Sequence, residues 1–156
     1  MKQKTKKERA SIKNYQKLAM RTCMKSCRNK EYAEFGFLSE QHEFLAKMYG
    51  YKAKKIRGDK DLSYDSIWQE IGDCFWFLAL KCQLNKISFE YIFKTSIRKI
   101  TKENKPIYSD VKIDIEALKS YCKDYNTTPL KCMQLNIEKL ASRKQRGVIK
   151  GNGDKR

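Results

Sequence analysis

Apolar residues in this chain recur at spacings of three and four. Ile67, Ile71, Cys74, Phe75, Leu78 and Cys82 form one such series, and Ile115, Leu118, Tyr121 and Cys122 form another. That spacing lines one face of a helix, whereas the alternation of a half-buried strand is scarce throughout. With only two prolines and seven glycines in 156 residues, long periodic elements can run without interruption. The expected fold class is therefore all-α, an antiparallel helical bundle over residues 1–156 as a single domain. A chain of this length buries a core without disulfides.

The same patterning predicts a helix over 8–28 and a second over 31–49 that stops near Gly50. A charged connecting loop follows over 51–62. Ser63 suits the cap of a third helix over 64–84, and Ser88 starts a fourth over 88–102. Asn104, Pro106 and Asp110 break the pattern before a helix over 112–124. Thr128-Pro129 then offers a cap followed by proline at the first helical position, opening a last helix that runs to about Arg146. Residues 147–156 read as an irregular tail.

Charge is unevenly placed on this chain of net charge +17. Residues 1–30 carry eleven Lys/Arg against one acid, and residues 139–156 carry seven against one. Residues 31–73 hold nine acids and six bases. Basic ends around an acidic middle draw a polyanion such as a nucleic acid or a nucleotide phosphate. No stretch approaches the length of apolar chain that spans a bilayer, and the basic N-terminus leads into no signal-peptide core. The six cysteines form no paired C-x-x-C zinc motif and read as reduced packing thiols of a cytosol-like compartment.

Four carboxylates stand out against this background. Glu40 and Glu43 are spaced i and i+3, as are Glu70 and Asp73, so each pair occupies one face of its own helix. E-x-x-E alone is common on solvated helices. Here Gly36-Phe37-Leu38 leads into Glu40, and Glu70 and Asp73 open onto the apolar run 74–80. Carboxylates at the edge of such a run need a counter-ion or a proton. Mg²⁺ fits among hard oxygen ligands and keeps room for water and phosphate, with Mn²⁺ as an alternative. On the last helix, Asn136, Lys139 and Arg143 share a face, with Arg146 one turn on. Amide, ammonium and guanidinium groups in a row suit phosphate oxygens.

Taken in order, these segments resemble the MazG-like, all-α nucleoside triphosphate pyrophosphohydrolases. Glu70-Ile71-Gly72-Asp73, continuing through Trp76-Phe77-Leu78-Ala79, is similar to the family's E-x-G-D-x-x-W-Y-L-A signature. Gly36-Phe37-Leu38-Ser39-Glu40-Gln41-His42-Glu43 resembles its G-L-x-x-E-x-G-E. The ending, Asn136 to Leu140 with Arg143 and Arg146, resembles that of phage-type members, and Tyr15-Gln16, Ala19 and Thr22 fit the family's first helix. The resemblance covers roughly residues 12–87 and 126–156. It implies hydrolysis of an NTP or dNTP to NMP and pyrophosphate, with Glu40, Glu43, Glu70 and Asp73 as the Mg²⁺ ligands and catalytic carboxylates. It implies Asn136 and Lys139 on the phosphate side, with Arg143 and Arg146 assisting. It also implies a homodimer or homotetramer, in the cytoplasm or in a host cytoplasm for a phage-encoded chain.

Three positions depart from the family pattern. His42 replaces a glycine. Phe77 replaces a tyrosine at a substrate-side position, where apolar packing is the simpler role. Residues 88–125 form a helical insertion between segments that the family runs together. Trp68, Trp76 and Tyr15 are candidates for stacking on a base. The competing reading is a basic nucleic-acid-binding protein whose carboxylates are structural; its charge favours it, but the basic ends lack regular aromatic interleaving.

Overall fold

The computed structural model describes residues 8–147, which contain seven α-helices, one short 3₁₀ turn and no strand. The helices are α1 (Tyr15–Met20), α2 (Lys30–Arg57), α3 (Asp65–Leu84), α4 (Phe89–Lys94), α5 (Ile97–Lys102), α6 (Pro106–Asp124) and α7 (Pro129–Gln145). The 3₁₀ turn, Lys25–Cys27, lies between α1 and α2. The all-α fold class is as expected.

Helix α3 is the axis of the molecule. From Glu70 to Cys82 every residue is buried, and α1, α2, α4, α6 and α7 all pack against it. A helix buried on all sides needs neighbours on all sides. That accounts for the position of Glu70 and Asp73, which lie off the apolar stripe yet are only 1% and 9% exposed. Two indole donors tie the layers together. Trp76 Nε1 donates to the Ala19 carbonyl of α1 at 3.2 Å, and Trp68 Nε1 donates to the Tyr125 carbonyl at 2.8 Å. Residues 89–124 share this core, with Phe89, Ile92, Ile100, Val111 and Ile115 fully buried. All six cysteines are free thiols.

Several boundaries differ from the periodicity. The first helix is short, because Asn14 and Ser11 satisfy each other's backbone in a local turn upstream and a 3₁₀ turn replaces its C-terminal part. Helix α2 does not stop at Gly50. It runs on to Arg57 and ends at Gly58, whose φ of +87° a glycine adopts without strain. Most of the expected 51–62 loop is therefore helical. Tyr64, not Ser63, is the cap residue of α3, although Ser63 Oγ still accepts from the Asp65 amide. The expected 88–102 helix is two helices, because Ser96 caps a new one through the Lys99 amide. Pro106 does not break α6 but starts it, and Asp110 lies within it. Thr128 caps α7 through the Lys131 amide, with Pro129 first in the helix, as expected. Of the irregular tail expected over 147–156, only Gly147, a turn residue, is among the described residues.

No helix among the described residues is long and apolar enough to cross a membrane.

Candidate active site

The packing of α2 on α3 brings carboxylates from both helices together. One oxygen from each of Glu40, Glu43 and Glu70 lies within 4.8 Å of the others. Glu40 and Glu43 are partly exposed and Glu70 is buried, so the cluster has a closed floor and an open side. At an effective dielectric of about 20, two unit charges at such spacing repel by roughly 3–4 kcal/mol, less where water reaches them. Three hard anionic oxygens so arranged have the donor chemistry of a site for a small divalent cation. Magnesium fits this donor set.

Asp73 lies one turn beyond Glu70 on α3 and is engaged by α7. Asn136 Nδ2 donates to Asp73 Oδ1 at 2.6 Å, and the Lys139 ammonium donates to Asp73 Oδ2. The ion pair is largely buried, with Asp73 and Lys139 side chains 12% and 17% exposed. Asn136 and Lys139 are thus on one face of α7, as their spacing predicts, and that face meets the carboxylates. Both donate to Asp73. Arg143 follows on the same face and is partly buried, whereas Arg146 is exposed and donates to the Ser142 carbonyl of its own helix at 3.4 Å.

Two glycines permit this approach. A Cβ on Gly72 would fall 2.4 Å from the Cys132 carbonyl oxygen and 3.1 Å from Asn136 Cβ. The bare Gly72 backbone is what lets α7 sit close enough for Asn136 to reach Asp73. A Cβ on Gly36 would lie 2.1 Å from the Phe77 ring, so α2 closes onto α3 over that ring. Phe77 is 5% exposed and also packs on Tyr32 and Trp76. These contacts are packing contacts.

Burial and negative charge combine at the base of the site. The Cys74 thiol is pushed well up, first by burial and then by the charges of Glu40, Asp73 and Glu70. All three carboxylates therefore act on one point of α3. Tyr15 reaches the same region from α1. Its phenol is fully buried, and its pKa is pushed far up by burial and then by the charge of Asp73. The Tyr15 hydroxyl has no hydrogen-bond partner among the described residues, and neither does Asn136 Oδ1. Such buried polar atoms are rare in native proteins and call for an explanation.

The sequence reading placed Tyr15 on the apolar face of the first helix, in the match to the family's first helix and among the aromatics that could stack on a base. Its ring packs instead on Phe89, at 5.3 Å between centroids, and its hydroxyl lies near Asp73. No local signal marks it, because a buried tyrosine on a helix reads as core. Trp76 is held by its indole donation to α1, and Trp68 is partly buried beside Tyr64. His42 is exposed on α2. The chain matches no protein-family model, no curated protein and no solved structure.

Proposed function

We propose that this protein is a Mg²⁺-dependent nucleoside triphosphate pyrophosphohydrolase, as its resemblance to the MazG-like enzymes suggests. The observation that carries the reading is the convergence of Glu40, Glu43 and Glu70 from two helices, with Asp73 beside them held by Asn136 and Lys139. The buried Tyr15 hydroxyl and Asn136 Oδ1, which lack a hydrogen-bond partner among the described residues, add support, since a hydrated ligand would supply what they lack.

In this reading Glu40, Glu43 and Glu70 hold the cation, with Asp73 completing the acidic wall. Bound Mg²⁺ would offset charge on the phosphate oxygens and lower the pKa of a coordinated water. Lys139 and Asn136 fix the orientation of Asp73, and Lys139 and Arg143 present positive charge along the α7 face. Water adds across the α–β phosphoanhydride, so that a monophosphate and pyrophosphate leave, and a carboxylate of the site takes the water proton. Positioning and electrostatics dominate such phosphoryl chemistry.

The test is incubation of the protein with Mg²⁺ and a panel of NTPs and dNTPs, with release of pyrophosphate and monophosphate as the readout. Turnover that disappears with Glu43→Gln supports the reading. Absence of turnover across the whole panel, with Mg²⁺ or Mn²⁺, overturns it.

A second reading, a basic nucleic-acid-binding protein, is favoured by one observation. Lys13, Lys17, Arg21 and Arg28 line a groove beside α1. Arg21 already pairs with Glu8, however, and Arg28 donates to the Met20 and Cys23 carbonyls. That reading predicts salt-sensitive binding of RNA or DNA that survives Glu43→Gln.

A further inference from the structure

Contacts on either side fix where Tyr15 sits. The Ala10 amide donates to Gln134 Oε1 of α7 at 2.7 Å, and Lys144 Nζ of α7 donates to the Arg21 carbonyl at 3.1 Å. The segment 10–21 therefore runs beside α7 in the same direction. Tyr15 falls midway between the two contacts, alongside the stretch of α7 that carries Asn136 and Lys139. On its other flank Gln16 Oε1 accepts from the Phe89 amide at 2.9 Å, and the Tyr15 ring packs on Phe89. The ring is clamped from both sides.

Tyr15 Oη and Asn136 Oδ1 are both buried, and neither has a hydrogen-bond partner among the described residues. They share their neighbours. Asn136 Nδ2 donates to Asp73, and the charge of Asp73 acts on the Tyr15 phenol. Cys132, which also acts on that phenol, lies one turn before Asn136 on α7. One of the two atoms carries a proton to donate and the other is an acceptor. In direct contact each would satisfy the other, so the gap between them is wider than one hydrogen bond. Groups buried in this way forfeit their hydration with nothing in return. One water molecule closes such a gap, because it accepts from a hydroxyl and donates to an amide oxygen at once. Burial also keeps the phenol protonated, and hence a donor.

The orientation of the Asn136 amide matters to Asp73. Rotated by half a turn, it would set Oδ1 against the carboxylate, and two negative oxygens would face each other. A donor on Oδ1 holds the amide with Nδ2 toward Asp73 and polarises it, which strengthens the bond that Nδ2 makes. We infer that Tyr15 is a positioning residue for Asp73: its hydroxyl donates to a resident buried water, and that water donates to Asn136 Oδ1, fixing the amide that holds the carboxylate. The water is present before any ligand binds and becomes the innermost water of a hydrated ligand's shell. The consequence for turnover rests on the pyrophosphohydrolase reading; the water and the amide orientation do not.

A crystal structure of the metal-free full chain, at a resolution that orders internal waters, tests the link directly. Density for one water within hydrogen-bond distance of both Tyr15 Oη and Asn136 Oδ1 is expected. An empty gap or a direct bond between them overturns the proposal. Urea unfolding of the metal-free protein measures the coupling. Tyr15→Phe is expected to shift the midpoint less in an Asn136→Ala background than in the wild type, and equal shifts overturn the proposal. Kinetics separate positioning from packing. Tyr15→Phe is expected to lower kcat roughly 10-fold, with KM within about twofold of the wild type, and to cost nothing further when added to Asn136→Ala. An unchanged kcat in an active enzyme overturns the positioning role. A wild type without turnover sinks the enzymatic reading alone, because the water and the unfolding cycle are both read on metal-free protein.

Discussion

Asn136 Nδ2 lies 2.6 Å from Asp73 Oδ1, joining two helices whose contact residues are 63 positions apart in the chain. Lys139 reaches the other oxygen of the same carboxylate from one turn further along α7. Asp73 is thereby held on both sides by α7, whereas Glu40, Glu43 and Glu70 are supplied by α2 and α3.

Removing one partner of this pair leaves a mostly buried charge with less compensation. Lys139→Met is expected to lower unfolding stability at neutral pH by about 3 kcal/mol, the lower end of the range for breaking a buried ion pair. Urea unfolding followed by circular dichroism measures it. A change below about 1 kcal/mol would place the pair among surface salt bridges.

The glutamates should behave in the opposite way. Glu43→Gln removes a charge from a repelling trio, so the metal-free protein should be as stable as the wild type or more so. Mg²⁺ at a hundredfold excess over its dissociation constant stabilises a binding protein by about 2.7 kcal/mol. Differential scanning calorimetry with and without Mg²⁺ should show that increment in the wild type and lose it in Glu43→Gln, together with turnover.

Gly72→Ala tests the close approach of α7. The added Cβ meets a helix carbonyl at 2.4 Å, so the helices must part. Overpacking of this kind costs about 1–3 kcal/mol. Activity should fall with stability, because the shift pulls Asn136 away from Asp73. Gly50→Ala is the control, since a Cβ there meets nothing within 4 Å: activity should stay unchanged and stability should rise by up to about 1 kcal/mol, never fall.

Alkaline pH should destabilise the protein through its buried thiols and phenol. Burial pushes the Cys82 thiol from an ordinary 9.0 up to about 12. Below pH 9 the thiol is neutral in both states. Between about pH 9 and 12 the unfolded chain loses this proton and the folded protein keeps it, so stability falls as pH rises, by about 1.4 kcal/mol per unit for one group. Cys74 and Tyr15 act in the same direction. Urea midpoints measured across this window should fall with pH, and Cys82→Val should fall less steeply. A flat profile in the wild type would contradict the burial of these groups.

Much of the fold could be read from local patterns. The Ile67–Cys82 stripe is buried as its spacing requires, and Thr128-Pro129 opens α7 because a hydroxyl cap and a proline satisfy the first turn whatever surrounds them. Boundaries fared worse where one signal has two uses. Pro106 ends a helix when it falls inside one and starts a helix when it falls first, and the sequence does not say which applies. Gly50 costs a helix interior only about 1 kcal/mol relative to alanine, too little to stop α2.

The site shows the same division. The sequence alone determined that Glu40 and Glu43 share a face, that Glu70 and Asp73 share another, and that Asn136 and Lys139 align on α7, because helical geometry fixes neighbours within a turn. Only the tertiary structure decided that three of the carboxylates meet while Asp73 is engaged by α7, and that the Tyr15 phenol is buried where the charge of Asp73 acts on it. Those outcomes depend on how closely helices approach at Gly36 and Gly72 and on which face each turns to α3. They are contacts between residues far apart in the chain, and no local periodicity encodes them.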